Sequence, residues 1–269
     1  MTIKLVICDI DATLVNEKKE LTPRTKKDLI QLHEKGIYFG IASGRPADEL
    51  KRNKEYWDLP FDFDFVVGMN GAELWDGVHQ KFYSYFMMKK EWLKETMEIM
   101  KVVECNPMIY WGEKIRCVHI DDMMIHSAST SHKELEVVKL EDFYAHENAK
   151  IMFRMKEEDM PKAEAWVKEH PNPYYHGFKT QSTLIEFCDK RINKGYGLQK
   201  ICEFNDLDIK DVMAFGDTSN DNDMLKVAGC GVCMINGTDD TKACANAITK
   251  QDNDHDGLAI YLEESGILC

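Results

Sequence analysis

The chain has 269 residues, 44% hydrophobic and 30% charged, which describes a globular protein able to bury a core without staples. Lys and Arg number 34 and Asp and Glu 47, and the formal charge of −13 excludes a general nucleic-acid binder, which needs basic surface to meet phosphates. No apolar run approaches the ~18 residues of a membrane helix, the segment Met1–Asp9 is too short and too acidic at its end for a signal peptide, and nine scattered cysteines point to a reducing cytoplasm rather than a disulfide framework.

The first half alternates strand and helix. Lys4–Cys8 is a short apolar run ending at Asp9 and reads as a buried parallel strand. A helix follows, with Thr22 as N-cap, Pro23 at its first position and Gly36 past its end. Ile37–Ala42 is a second strand, closed by the turn Ser43-Gly44-Arg45-Pro46, and a helix is expected from Ala47 to about Trp57. Phe63–Val67 is a third strand ending at Gly68-Met69-Asn70-Gly71. This alternation implies right-handed crossovers and a doubly wound, Rossmann-like α/β/α core. From Ser84 to Phe187 the pattern is irregular, with helices expected at Lys89–Val103 and Met160–Lys168 and apolar runs at Met108–Trp111 and Lys150–Met155. Alternation returns after Phe187, with a helix over Gly195–Phe204, a strand Val212–Phe215, a helix Asp223–Ala228 and a strand Gly231–Met234. The expected organisation is therefore a core of residues 1–83 and 188–269, interrupted by an α+β insert of residues 84–187.

Two segments place carboxylates just past an apolar strand: Asp9-Ile10-Asp11-Ala12-Thr13-Leu14 and Gly216-Asp217-Thr218-Ser219-Asn220-Asp221. Taken singly, an acid pair in a turn serves as a cap. Taken together, strands of one parallel sheet end on one edge, where crevices bind ligands. Asp9, Asp11, Asp217 and Asp221 then converge, and an all-oxygen cluster that would otherwise repel itself suits Mg²⁺.

These residues carry a resemblance. The sequence is similar to the haloacid dehalogenase superfamily, and within it to the Cof-type phosphatases. Asp9–Leu14 fits the first motif, Ser43-Gly44-Arg45-Pro46 the second, Lys194-Gly195 the third, and Gly216–Leu225 the fourth, with Asn70-Gly71-Ala72 as a further family loop. One position departs: Ala12 stands where the Cof-type pattern has Gly, a residue favoured where backbone bends sharply.

The resemblance implies a cytoplasmic, Mg²⁺-dependent phosphatase of small phosphorylated metabolites, sugar phosphates above all, with no nucleic-acid or membrane partner. It implies Asp9 as nucleophile, Asp11 as acid and base, and Lys194 as the cation beside them. Asp9, the Asp11 carbonyl, Asp217 and Asp221 are implied around the metal, and Ser43, Gly44, Arg45, Asn70, Gly71 and Asn220 around the phosphoryl group or its loops. Arg45 is equally readable as a helix-start residue paired with Asp48. The insert is implied to be a C2-type cap, a lid that excludes water and sets specificity, with His119, Tyr174, Tyr175, His176, Lys179 and Glu186 as candidate contacts or as plain packing. A phosphotransferase or phosphomutase of the same fold, or a binding protein that kept the fold, are the alternatives.

Two further patterns compete for attention. Asp252–Gly257 with Glu263 spells an EF-hand calcium loop. Yet an EF-hand needs a helix on both sides and the residues upstream are strand-like, and the resemblance implies here an Asn/Asp-rich turn into a final helix, with the acids as N-terminal caps. Cys230-Gly231-Val232-Cys233 has redox or zinc spacing, but it lies in a strand and lacks a second pair, which favours packing.

Overall fold

The computed structural model describes residues 2–269. Strand β1, Leu5–Asp9, is buried at every position, as an apolar run in a central parallel strand must be. Helix α1, Pro23–Glu34, opens at Thr22, whose hydroxyl accepts from the Thr25 N–H, and turns Leu29 and Leu32 inward. Strand β2, Tyr38–Ala42, follows. The helix expected to reach Trp57 is two short ones, α2 (Ala47–Lys51) and α3 (Asn53–Tyr56). The ladder resets at Arg52, whose N–H bonds the Glu49 carbonyl three residues back. Strand β3, Phe65–Gly68, then leads to two strands absent from the sequence reading, β4 (Glu73–Asp76) and β5 (Lys81–Ser84).

The insert follows with α4 (Lys90–Ile99), β6 (Cys105–Trp111), β7 (Lys114–Cys117), α5 (Asp122–Ser131), β8 (Glu134–Val137), β9 (Lys150–Met155), α6 (Met160–Glu169), β10 (Tyr175–Gln181) and β11 (Leu184–Asp189). The helix expected over Lys89–Val103 tightens to a 3₁₀ turn after Ile99 and ends where Val103 becomes extended. The chain returns through α7 (Lys194–Phe204), β12 (Val212–Gly216), α8 (Asn222–Val227), β13 (Cys230–Cys233), α9 (Asp239–Cys244), β14 (Ala247–Ile248) and α10 (Gly257–Glu264).

The residues form two units. One spans the chain up to Tyr83 together with Asn193–Cys269; the other is Ser84–Ile192. The second unit thus runs a few residues past the expected Phe187, because β11 continues to Asp189 in antiparallel pairing with β9 and β10.

The first unit is built on an eight-stranded sheet of order β14-β13-β12-β1-β2-β3-β4-β5. From β14 to β3 the strands are parallel, with Leu5 opposite both Tyr38 and Val212. The strand β4 runs antiparallel to β3. Its core gathers Val6, Cys8, Leu29, Leu32, Phe39, Ile41, Phe215 and Leu262, all buried. The second unit has a six-stranded sheet of order β10-β11-β9-β6-β7-β8, antiparallel except for the parallel pair β7–β8. Phe143, Ile151, Phe153 and Phe187 fill one core of this unit, and Met108, Ile115, Met124 and Met152 a second. No helix among the described residues is long and apolar enough to cross a membrane.

One buried acid on α1 gives this fold a pH dependence. Asp28 is 2% exposed, and its Oδ2 has no hydrogen-bond partner. Burial, with the carboxylate of Glu263 nearby, pushes its pKa up to about 6. The folded protein therefore holds this proton while the unfolded chain, with its ordinary carboxylate pKa, has already released it. Stability from this group is present below about pH 4 and lost as pH rises through about 6. The Asp28→Asn variant should exceed the parent in urea stability at pH 8, by about 1–2 kcal/mol. At pH 4 the two should agree, and a constant offset at both pH values would refute the assignment.

Candidate active site

The carboxyl ends of β1 and β12 are neighbours in the sheet, so the two acidic segments emerge side by side. Asp9 ends β1 and is 8% exposed. The chain then makes a tight turn over Ile10–Leu14, closed by the Val15 N–H on the Ile10 carbonyl. Asp217 follows β12, and Asp221 lies in the 3₁₀ turn after it. Asp9, Asp217 and Asp221 are all buried, and each offers an oxygen within 4.8 Å of the others, a donor set able to hold a metal ion.

Lys194, wholly buried at the first position of α7, joins this cluster. Its Nζ donates to Asp9 Oδ1 at 2.5 Å and to Asp221 Oδ1 at 2.6 Å. The other oxygen of Asp221 accepts from the backbone N–H groups of Asp217 and Thr218. Thr13, inside the first turn, donates to Asp217 Oδ1 at 3.0 Å and so ties the two segments together.

The charges do not cancel, since one ammonium faces three carboxylates. Burial, with Asp221 and Asp217 nearby, drives the Asp9 carboxyl well above the usual range although Lys194 opposes it. Burial and the Asp221 charge push Asp217 up to about 6. Lys194 moves the other way: Asp221 and Asp9 outweigh the effect of burial and raise its pKa above the ordinary lysine value. The surplus of negative charge and the all-oxygen donors fit a hard divalent cation.

Asp11 stands apart from this cluster. Its carboxylate, 40% exposed, accepts from Lys19 Nζ at 2.8 Å and from Arg45 Nη2 at 3.1 Å. Burial would raise its pKa, but the charges of Arg45 and Lys19 prevail and hold it below the usual range. Arg45 also approaches Glu49, one helical turn on, at 3.6 Å. Asp11 and Glu49 are thus both within ion-pair reach of Arg45.

Ser43, Gly44, Asn70, Gly71 and Asn220 form a set of linked loops in the same unit, whereas the candidate contacts His119, Tyr174, Tyr175, His176, Lys179 and Glu186 all lie in the second unit. Ser43 is buried after β2, and its Oγ accepts from the Arg45 N–H; Gly44 lies against the Asn70 side chain. Asn70, at φ +56°, donates its N–H to the Ser43 carbonyl and accepts from Asn220 Nδ2 at 3.3 Å. Gly71 has φ +108°, and a Cβ there would stand 2.3 Å from the Asn193 carbonyl oxygen. Asn193 is the N-cap of α7, accepting from the Tyr196 N–H, so the absence of a side chain at Gly71 lets α7 seat Lys194. Sequence reasoning assigned no part to Thr13, Lys19 or Asn236. Thr13 was visible inside the first motif; Lys19 and Asn236 lie in loops without any periodic signal.

The two competing patterns resolve into local structure. Both Glu263 oxygens pair with Arg24, Asp252 accepts from the His255 N–H, and Asp254 accepts from the Glu17 N–H. These acids serve a capped turn into α10, with only the two-residue strand β14 upstream, where an EF-hand has a helix. Cys233 is buried in β13, and Cys230 faces Tyr261.

Residues 6–262 match the haloacid dehalogenase-like hydrolases. The chain belongs to that family. It is 30% identical over 257 residues to the Bacillus subtilis 5-amino-6-(5-phospho-D-ribitylamino)uracil phosphatase YcsE, covering 96% of this chain and 93% of the relative. It is 27% identical over 266 residues to YitU of the same organism, which carries the same activity name, covering 97% of this chain and 96% of the relative. Among solved structures, a haloacid dehalogenase-like hydrolase from Bacteroides thetaiotaomicron superposes with a TM-score of 0.87 at 25% identity, covering 98% of this chain and all of that one. With the family established and relatives of equal length named as phosphatases, this haloacid dehalogenase-like protein is a phosphoric monoester hydrolase.

The family position where Ala12 replaces Gly is now explicable. Ala12 adopts φ +59°, ψ 9°, the left-handed region that disfavours any side chain. The Ala12→Gly variant should be more stable by about 0.5–1 kcal/mol in urea unfolding, because it removes a steric penalty from the folded state. A loss of stability would mean that the turn is held without strain.

Proposed function

We propose that the protein is a Mg²⁺-dependent phosphatase that works through an aspartyl-phosphate on Asp9. The observation that carries this reading is the buried cluster in which Lys194 spans Asp9 and Asp221 with Asp217 beside them. One Asp9 oxygen is held by Lys194, leaving the other free of that bond to attack phosphorus in line. The P–O ester bond breaks as the Asp9 O–P bond forms, and Asp11 gives its proton to the departing alkoxide. Asp11, then ionised, takes a proton from water, whose oxygen attacks the same phosphorus and releases phosphate and free Asp9.

Asp9, Asp217 and the backbone carbonyl of Asp11 would hold the ion, with Asp221, whose oxygens meet Lys194 and the Asp217 and Thr218 amides, supporting it from behind. When bound, Mg²⁺ offsets the repulsion between the anionic nucleophile and the anionic substrate. Lys194 supplies a second, permanent positive charge at Asp9. Lys19 and Arg45 keep Asp11 ionised, which suits its role as base in the second step. Ser43 with the backbone N–H groups of its loop, and Asn220, are the proposed phosphoryl contacts. Arg45, Gly44, Asn70 and Gly71 shape those loops.

The substrate class proposed is a small sugar or sugar-alcohol phosphate. Support comes from the two Bacillus subtilis relatives, whose named substrate carries its phosphate on a ribityl chain. The insert of residues 84–192, which has cores of its own, is the proposed module for choosing among such substrates.

Two experiments test the reading. Phosphate release from a panel of sugar and sugar-alcohol phosphates should require Mg²⁺ after EDTA treatment, and Ca²⁺ should not replace it, since Ca²⁺ takes more ligands and a looser geometry. Equal turnover with and without Mg²⁺ would sink the metal assignment.

The Asp9→Asn and Asp11→Asn variants should behave differently although they lie two residues apart. Asp9→Asn should abolish both turnover and phosphoryl labelling. Asp11→Asn should lose about 10²–10⁴-fold in steady-state rate, yet retain a phosphate adduct on brief exposure to an activated ester. Intact-mass analysis of the quenched proteins decides, and an adduct on Asp9→Asn would show another nucleophile.

A further inference from the structure

The turn that carries Asp11 is gripped from outside by two segments distant in sequence. Asn236, in the loop after β13, donates its side-chain amide to the Ala12 carbonyl at 2.9 Å. In the same loop the Thr238 N–H donates to the Asp217 carbonyl at 2.8 Å. One short loop therefore bonds the backbone beside both acidic strand ends. Asn253, inside the Asp252–Gly257 turn that mimics a calcium loop, donates to the Val15 carbonyl at 3.0 Å. Its neighbour Asp254 accepts from the Glu17 N–H at 2.8 Å. Further along, Asp256 accepts from the Thr22 hydroxyl at 2.6 Å.

The gripped backbone is the one under strain. Ala12 stands in the left-handed region, and a residue with a Cβ relaxes out of it unless its surroundings hold it. The grip falls on the carbonyl of that same residue and on Val15, whose N–H closes the turn on Ile10. The neighbours on either side of these bonds are Asp11 and Thr13, and Thr13 in turn holds Asp217.

We propose that Asn236 and Asn253 are positioning residues for the reaction. Their amides hold the Ala12–Val15 backbone in the conformation that aims Asp9, Asp11 and Thr13. The acidic tail turn is thus a clamp on the catalytic turn rather than a cation site. Neither asparagine touches the reacting groups, and both act through the backbone. The inference rests on the assignment of Asp9 and Asp11 to the chemistry, but the grip itself is measurable without it.

A loosened turn misplaces the nucleophile and the acid without altering phosphoryl contacts, so kcat should suffer and KM should not. Asn236→Ala and Asn253→Ala should each lower kcat for p-nitrophenyl phosphate about tenfold, with KM within about twofold. In the Ala12→Gly background, the left-handed conformation no longer needs holding, and Asn236→Ala should cost less than about threefold. The control is Glu263→Gln, which breaks the Arg24 pair on α10 and should leave kcat within about twofold. Hydrogen exchange on the same proteins should show the amides of residues 10–17 opening in both Ala variants, with the β1 and β12 strand amides unchanged. Asn236→Ser or Asn253→Ser serves in place of the corresponding Ala variant if that variant unfolds.

Unchanged kcat with unchanged exchange in both variants would overturn the clamp. So would an Asn236→Ala loss of equal size in the parent and in the Ala12→Gly background, since that marks a general destabilisation. If the parent protein releases no phosphate from any ester while the exchange pattern is as expected, the clamp stands and the catalytic assignment fails.

Discussion

The site depends on one buried ammonium. Lys194 meets Asp9 across 185 residues of sequence and Asp221 across 27, and it is the cation that makes burial of three neighbouring carboxylates tolerable. Without it, carboxylates in a low-dielectric setting take up protons or push the segments apart. Much of the surrounding structure serves to deliver that group. Asn193 caps α7 one residue before it, and Gly71 yields the space in which that cap's carbonyl lies. On the acceptor side, Gly216 has no Cβ because one would stand 2.5 Å from Asp221, so the carboxylate can fold back onto the Asp217 and Thr218 amides.

The same residues separate two electrostatic environments within a few residues of chain. Asp9 is buried and raised by its acidic neighbours, while Asp11 is half-exposed and lowered by Arg45 and Lys19. Such a divergence between nearby carboxyls is the usual way for one site to assign two roles to one residue type. Here it arises from geometry alone: the tight turn at Ile10–Leu14 sends the second carboxyl toward the loop cations instead of toward Lys194.

What could be read from the sequence was the part governed by short-range pattern. Leu5–Asp9, Tyr38–Ala42 and Val212–Gly216 are apolar runs of strand length, and each stands where the alternation put it. The acids at the ends of β1 and β12 were legible because two such segments share one edge of a parallel sheet, where either alone reads as a cap. The misses have local causes. Helix α5 is rich in Ser, Thr and His, weak helix formers whose hydroxyls bond back to carbonyls, as Ser127 does to Met123 and Thr130 to His126. It stands through its Asp121 cap and the burial of Met124 and Ala128, which a propensity argument does not weigh. The strand β4 is four residues with a charged group at each end, supported by its pairing with β3 and by its place beside β5 in the sheet. The partners of Asp11 and of Ala12 come from loops, where side-chain reach depends on tertiary structure and no periodicity announces it.

The order of strands has a consequence for how the chain is made. β1 lies at the middle of its sheet, and its neighbours arrive at very different times: β2 pairs with it after some thirty residues, whereas Val212 must come back to Leu5 across the whole intervening chain. Contacts of such separation are slow to form because loop closure precedes any gain from pairing. On a ribosome adding roughly 5–20 residues per second, the free edge of β1 waits on the order of 10–40 seconds for β12. During that interval an apolar strand with unpaired N–H and C=O groups is available to other chains. The segment around β1 is therefore open to such pairing until β12 has been made, and a chaperone that shields Leu5, Val6 and Ile7 would act on yield without touching the finished fold.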